Sequence, residues 1–141
     1  MKHALLFGAA LLALLGPRCA LAVEFPDKAG VVQFSTPSAN IECTFIAKAT
    51  ATYTPKDGAP ELSCDRANPK YVRVTIGGAK GALTRIDNPG DQPCCGAEHV
   101  LRYGERWTAG PFSCSSDTGG LSCKHANGHG FFLSLKAIRT N

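Results

Sequence analysis

Residues 112–134 read FSCSSDTGGLSCKHANGHGFFLS, and no other stretch restricts the fold as tightly. Three short apolar-containing runs are separated by two turn clusters, Asp117-Thr118-Gly119-Gly120 and Asn127-Gly128. Asn-Gly is a preferred centre for a two-residue type I′ hairpin, because both positions need φ > 0. The first cluster is also turn chemistry, although Thr118 fits poorly at positive φ. The pattern predicts an antiparallel meander over about 111–115, 121–126 and 129–135. A turn centred between Thr118 and Gly119 sets Cys114 opposite Cys123 at a non-hydrogen-bonded pair, where side chains approach most closely. That position suits a cross-strand disulfide. A second turn centred between Asn127 and Gly128 puts Phe132 on the face of Leu121 and Cys123. Phe131, Leu133 and Leu135 then take the other face, so the meander is expected to be covered on both sides.

The chain before it carries the same punctuation. Strands are predicted at Val31–Ser35, Ile41–Phe45, Thr50–Thr54, from Leu62 to Cys64, at Tyr71–Ile76 and at Ala82–Ile86. In the clearest, Val72, Val74 and Ile76 alternate with Tyr71, Arg73 and Thr75, the period of a half-buried strand. Gly77 to Gly81 and Asp87 to Pro93 read as a turn and an irregular loop, and Val100–Tyr103 and Arg106–Thr108 lead into the meander. Turn signals every eight to twelve residues, without helical periodicity, predict an all-β fold. The expected form is a small disulfide-stapled antiparallel β-sandwich or barrel.

The cysteines imply a compartment. Lys2, the apolar run Ala4–Leu15 and the small-x-small site Ala20-Leu21-Ala22 have the form of a secretory signal peptide over residues 1–22. The run is too short to span a bilayer, which takes about 20 apolar residues. Pro17 and Arg18 argue against lipidation at Cys19. Cleavage after Ala22 leaves one domain, 23–141, with 13 basic and 11 acidic residues. So small an excess argues against nucleic acid. The expected setting is the periplasm or the extracellular space. Six cysteines remain, Cys43, Cys64, Cys94, Cys95, Cys114 and Cys123, an even set with fifteen possible connectivities. Adjacent cysteines such as Cys94 and Cys95 bond to each other only through a small strained ring, which favours separate partners. If Cys43 pairs with Cys64 and Cys114 with Cys123, however, only the vicinal bond is left. Both alternatives stand on the sequence.

PSANIEC stands at 37–43, LRYGERW at 101–107, GPFSC at 110–114, GLSC at 120–123 and GHGFFLS at 128–134. Together these segments resemble a family of small exported bacterial proteins, a domain of unknown function. Ala39 stands where that family usually has glycine, and Leu135-Lys136-Ala137 replaces a basic-aromatic ending. The resemblance implies export, cysteine staples and a β-rich domain, with no catalytic residue to carry over.

Candidate sites are few. Tyr103, Trp107, Phe112 and Phe131 could form a ligand platform, although aromatics in a small β-domain more often serve the core. Cys94, Cys95, His99, His125 and His129 could assemble around a metal. His125 and His129 have a zinc-like spacing, but exported cysteines oxidise and cease to be thiolates. No metal and no cofactor are expected. Ser113, Ser115, Ser116 and Ser122 lie near His125 without a recognisable base-and-orienter arrangement, so the chain is expected not to be an enzyme. The expected function is binding, with Tyr103, Trp107, His125 and His129 as contacts and the Gly128-His129-Gly130 edge at its centre. The ligand would be a protein or small molecule of the envelope or exterior. The alternative is a protein inhibitor of an enzyme such as lysozyme, an analogy at the level of fold.

Overall fold

Alternating burial organises the strands Ile41–Ile46, Val72–Gly77, Phe112–Asp117 and Gly120–His125 of this protein, whose computed structural model describes residues 19–90 and 94–141. Most of the expected signal segment, and Asp91–Pro93 of the irregular loop, lie outside the described residues. The strands are β1 (Leu21–Val23), β2 (Val31–Ser35), β3 (Ile41–Ile46), β4 (Glu61–Arg66), β5 (Val72–Gly77) and β6 (Ala82–Asp87). They continue with β7 (Glu105–Ala109), β8 (Phe112–Asp117), β9 (Gly120–His125), β10 (Gly130–Leu133) and β11 (Ile138–Thr140). One sheet is the meander β2-β3-β4-β5-β6; the other is the meander β7 to β11 with β1 added beside β7. All neighbours are antiparallel except β1 and β7. The two sheets stack as an all-β sandwich and do not close into a barrel. The bond expected to be cleaved, after Ala22, lies within β1, where Leu21 and Ala22 face Glu105 and Arg106.

The core follows from the pleat, since residues two apart share a face. Ile41, Cys43 and Phe45 of β3, and Val72, Val74 and Ile76 of β5, point inward from the first sheet. Phe112, Cys114, Leu121, Cys123, Phe131 and Leu133 meet them from the second. Trp107 packs against Phe34 at 5.0 Å and Phe45 at 5.5 Å between ring centroids, and Phe45 meets Phe112 at 5.9 Å. This aromatic row joins the sheets along their length.

Each sheet carries a disulfide at its centre. Cys43 bonds Cys64 across β3 and β4, and Cys114 bonds Cys123 across β8 and β9, each pair with Cα atoms 4.1 Å apart. The hairpin register expected from the Asp117–Gly120 turn is therefore correct. Cys94 bonds Cys95, which resolves the connectivity left open above, and Cys19 is free. The sulfur atoms of Cys43, Cys64 and Cys123 lie within 4.8 Å of one another, so the two bridges meet across the sandwich. All three are oxidised, and the cluster is core packing rather than a set of thiolate ligands.

The second hairpin differs from expectation by one residue. Gly130 faces Lys124 and Phe131 faces Cys123, so the connection is a three-residue loop, Ala126–Gly128, closed by His125 N donating to His129 O at 2.8 Å. Only Gly128 takes positive φ, at 98°, as such three-residue loops require. Asn127 is drawn elsewhere: its Nδ2 donates to Lys80 O at 2.7 Å, and its Oδ1 accepts from His129 N at 2.9 Å. A one-residue slip exchanges the faces of a strand. Phe131 and Leu133 thus join Leu121 and Cys123 in the core, while Phe132 faces outward under the Arg139 guanidinium, 4.2 Å from its ring centroid. The meander has one apolar face and needs no second cover.

One other segment also departs from expectation. Thr50–Thr54 is not a strand, because Thr50 Oγ1 accepts from Thr52 N and Tyr53 N at 3.4 and 3.1 Å and holds a local turn. Val100–Tyr103 contributes only a bridge from Val100 to Ser35, yet it fills the core with the fully buried Leu101. Ala39 takes a left-handed turn at φ 51°, at a cost of about 1 kcal/mol.

Candidate functional site

The connections β2–β3, β4–β5, β8–β9 and β10–β11 all emerge at one end of the sandwich, because successive strands reverse direction. The turn before β7 joins them there. Asn40 Nδ2 donates to Asn68 O at 3.0 Å and its Oδ1 accepts from Asn68 N at 2.8 Å, fastening the first two loops together. Asp117 Oδ1 accepts from Gly119 N and Gly120 N at 2.6 and 3.1 Å and shapes the third. Ser134 Oγ accepts from Lys136 N and Ala137 N at 3.2 and 3.0 Å and shapes the fourth. Gly104 N donates to Ser116 O at 2.8 Å and sets Tyr103 beside them.

These loops enclose a cleft of about 660 Å3. Tyr103 and Leu135, 47 % and 59 % exposed, supply its apolar surface, and Ser38, Asn40, Asn68 and Thr118 supply hydroxyl and amide groups. A large concave site with an apolar floor and a few fixed polar groups is the usual form of a ligand pocket. Ser38, Asn40, Tyr103 and Ser134 are brought together there from distant parts of the chain.

The other sequence-predicted contacts lie elsewhere. Trp107 is 2 % exposed, and its ring serves the aromatic row of the core rather than a surface platform. His125 and His129 sit at the opposite end, where the Ala126–Gly128 loop grips the β5–β6 turn. The Nδ1–H of His129 donates to Gly81 O at 2.7 Å, while His125 Nδ1 accepts from Asn127 N at 3.1 Å. Gly81 is held at φ +55°, and a Cβ there would lie 2.7 Å from His125 Cε1 and 2.8 Å from Asn127 Nδ2. His129 and Asn127 clasp one sheet to the other, and His125 braces the loop from within. His99 stacks on Phe25 at 5.5 Å, and the sulfurs of Cys94 and Cys95 are spent on each other.

Two polar features escaped the sequence reading. Arg66 occupies an inward position of β4, after Leu62 and Cys64, and is 6 % exposed. A charge in the apolar phase of an alternating strand was its visible signal. Tyr53 OH donates to both carboxylate oxygens of Glu61, at 2.8 and 3.0 Å, over the outer face of the first sheet. The hydrogen bond to Glu61, then burial, then the Glu61 charge raise the Tyr53 pKa. A raised phenol pKa stabilises the fold below the unfolded value of about 10 and loses that contribution as pH rises through the folded value. With Tyr53 44 % exposed, solvent competes for this hydrogen bond, and Tyr53→Phe is expected to cost roughly 0.5 kcal/mol near neutrality. The gap in urea midpoint between variant and wild type should narrow above about pH 10; a gap constant to higher pH would contradict the linkage. No protein-family model, no curated protein and no solved structure matches the chain.

Proposed function

We propose that this chain is an exported, non-catalytic binding module that takes its ligand in the cleft at the Tyr103 end of the sandwich. What supports this is the cleft itself: about 660 Å3, with Tyr103 and Leu135 exposed above a ring of hydroxyl and amide groups. Isolated exposed apolar residues need no explanation, but two that share a cleft mark a place for a partner. Three disulfides fit an oxidising compartment. No helix among the described residues is long and apolar enough to cross a membrane.

The ligand is a small molecule or chain segment of the envelope or exterior, with one flat apolar face and hydrogen-bonding edges. Immobilised protein incubated with envelope extract tests this when wild type is compared with Tyr103→Ala/Leu135→Ala. Exposed positions cost little stability, roughly 0.5 kcal/mol or less each, so the variant should melt normally and lose the captured species. Undiminished capture by the folded variant would refute the proposal. Stoichiometric slowing of lysozyme on a cell-wall suspension would instead favour an inhibitor.

A further inference from the structure

The inner face of β6 packs against the core at Leu83 and is left open beyond it. Leu83, Arg85 and Asp87 stand in register with Ile76, Val74 and Val72, the buried residues of β5. Arg85 and Asp87 are nevertheless exposed. Where this overhang meets the end of β4 there is a second cleft, of about 470 Å3, walled by Arg66, Lys70, Tyr71, Arg85, Asp87 and Asn88.

Arg66 is the unusual member. Its Nη1 donates to Ser134 O at 3.1 Å and its Nη2 to Lys70 O at 3.3 Å, while Nε is buried without a partner. Both acceptors are neutral carbonyls. A guanidinium buried without a bonded carboxylate is costly, because carbonyl dipoles replace its lost hydration only in part. Burial, then repulsion from Arg85, lower the Arg66 pKa, and Asp87 acts in the opposite direction. Asp87 is the one carboxylate among the described lining residues, and Arg85 already holds it through Nε at 2.8 Å and Nη2 at 3.3 Å. Three cationic side chains thus face one committed carboxylate, and the cleft is net positive.

We propose that this cleft is an anion site for a small organic molecule bearing a carboxylate or phosphate group, with Lys70 and Arg85 as direct contacts and Arg66 as the buried charge behind them. Guanidinium and ammonium donors suit both oxyanions. The volume exceeds that of a bare anion, and Asn88 offers a hydrogen-bonding edge to the molecule that carries it; the Tyr71 hydroxyl is held by Asp65 and Arg73. The site is separate from the Tyr103 cleft, with Arg66 bonded to Ser134 at the boundary between them.

Titration of the full chain with inorganic phosphate, glucose 6-phosphate and glucuronate, followed by amide chemical shifts, tests this and distinguishes the two oxyanion sources. Saturable shifts are expected at Tyr71, Arg85 and Asn88 with at least one probe, weakening as salt is added. Lys70→Gln/Arg85→Gln should keep the wild-type melting curve and lose roughly tenfold or more in affinity. Tyr103→Ala should leave anion binding unchanged, so that failure at one cleft is not mistaken for failure at the other. If all three probes give no saturable shift at these residues up to about 10 mM, the proposal is wrong. Arg85 and Asp87 then serve only as inward charges that blunt an edge strand, the alternative that predicts aggregation of Arg85→Gln/Asp87→Asn.

Discussion

Replacing both Cys43 and Cys64 by alanine is expected to destabilise the protein by about 3–5 kcal/mol. Closing a loop with a sequence separation of 21 residues is worth about 3 kcal/mol on the chain-entropy estimate. Two fully buried sulfurs are lost as well, and the sheets can collapse only partly into the space. Cys114→Ala/Cys123→Ala opens a shorter loop, with a separation of 9, and should cost somewhat less, about 3 kcal/mol. The informative quantity is their coupling. Because sulfurs of the two bridges lie within 4.8 Å, removing both pairs should be non-additive by roughly 0.5 kcal/mol or more. Urea unfolding of the four species measures it. Additive losses would mean that the bridges act only on their own hairpins and do not support one another across the core.

How much of this was legible in the sequence depended on how local the deciding interaction was. The register of Cys114 against Cys123 was readable because one turn, Asp117–Gly120, sets it, and the Asp117 carboxylate that shapes the turn lies within it. β3 and β5 were readable from alternation alone. The slip at the next hairpin was not, since Asn127 is held by Lys80, 47 residues away, and that bond outweighs the preference of an Asn-Gly pair. Thr50–Thr54 has strand composition, but its own hydroxyl competes for the backbone. The Tyr103 cleft draws on five loops, and no window of sequence holds more than a fragment of it. Tyr103 and Trp107 lie four residues apart with similar composition, yet the pleat of β7 turns Trp107 inward while Tyr103 precedes the strand and remains outside.

Trp107→Ala is the single substitution expected to do most damage, about 3–5 kcal/mol. The indole is 2 % exposed, packs against Phe34 and Phe45 of the facing sheet, and lies opposite Cys114 in its own. Its removal opens a cavity where both sheets and one disulfide meet. Against a typical domain stability of roughly 5–15 kcal/mol, such a loss leaves little margin. Trp107→Phe keeps an aromatic ring in the row and should recover a substantial part of the stability. Because this is the chain's one tryptophan, its fluorescence reports on the core directly. Emission should be blue-shifted and resistant to acrylamide in the native state, and should shift red in step with the loss of sheet signal during unfolding. A ligand in the Tyr103 cleft should leave that emission unchanged. If Trp107→Ala instead kept its melting temperature and lost ligand capture, the residue would be a binding contact and the aromatic row would not be the centre of the fold.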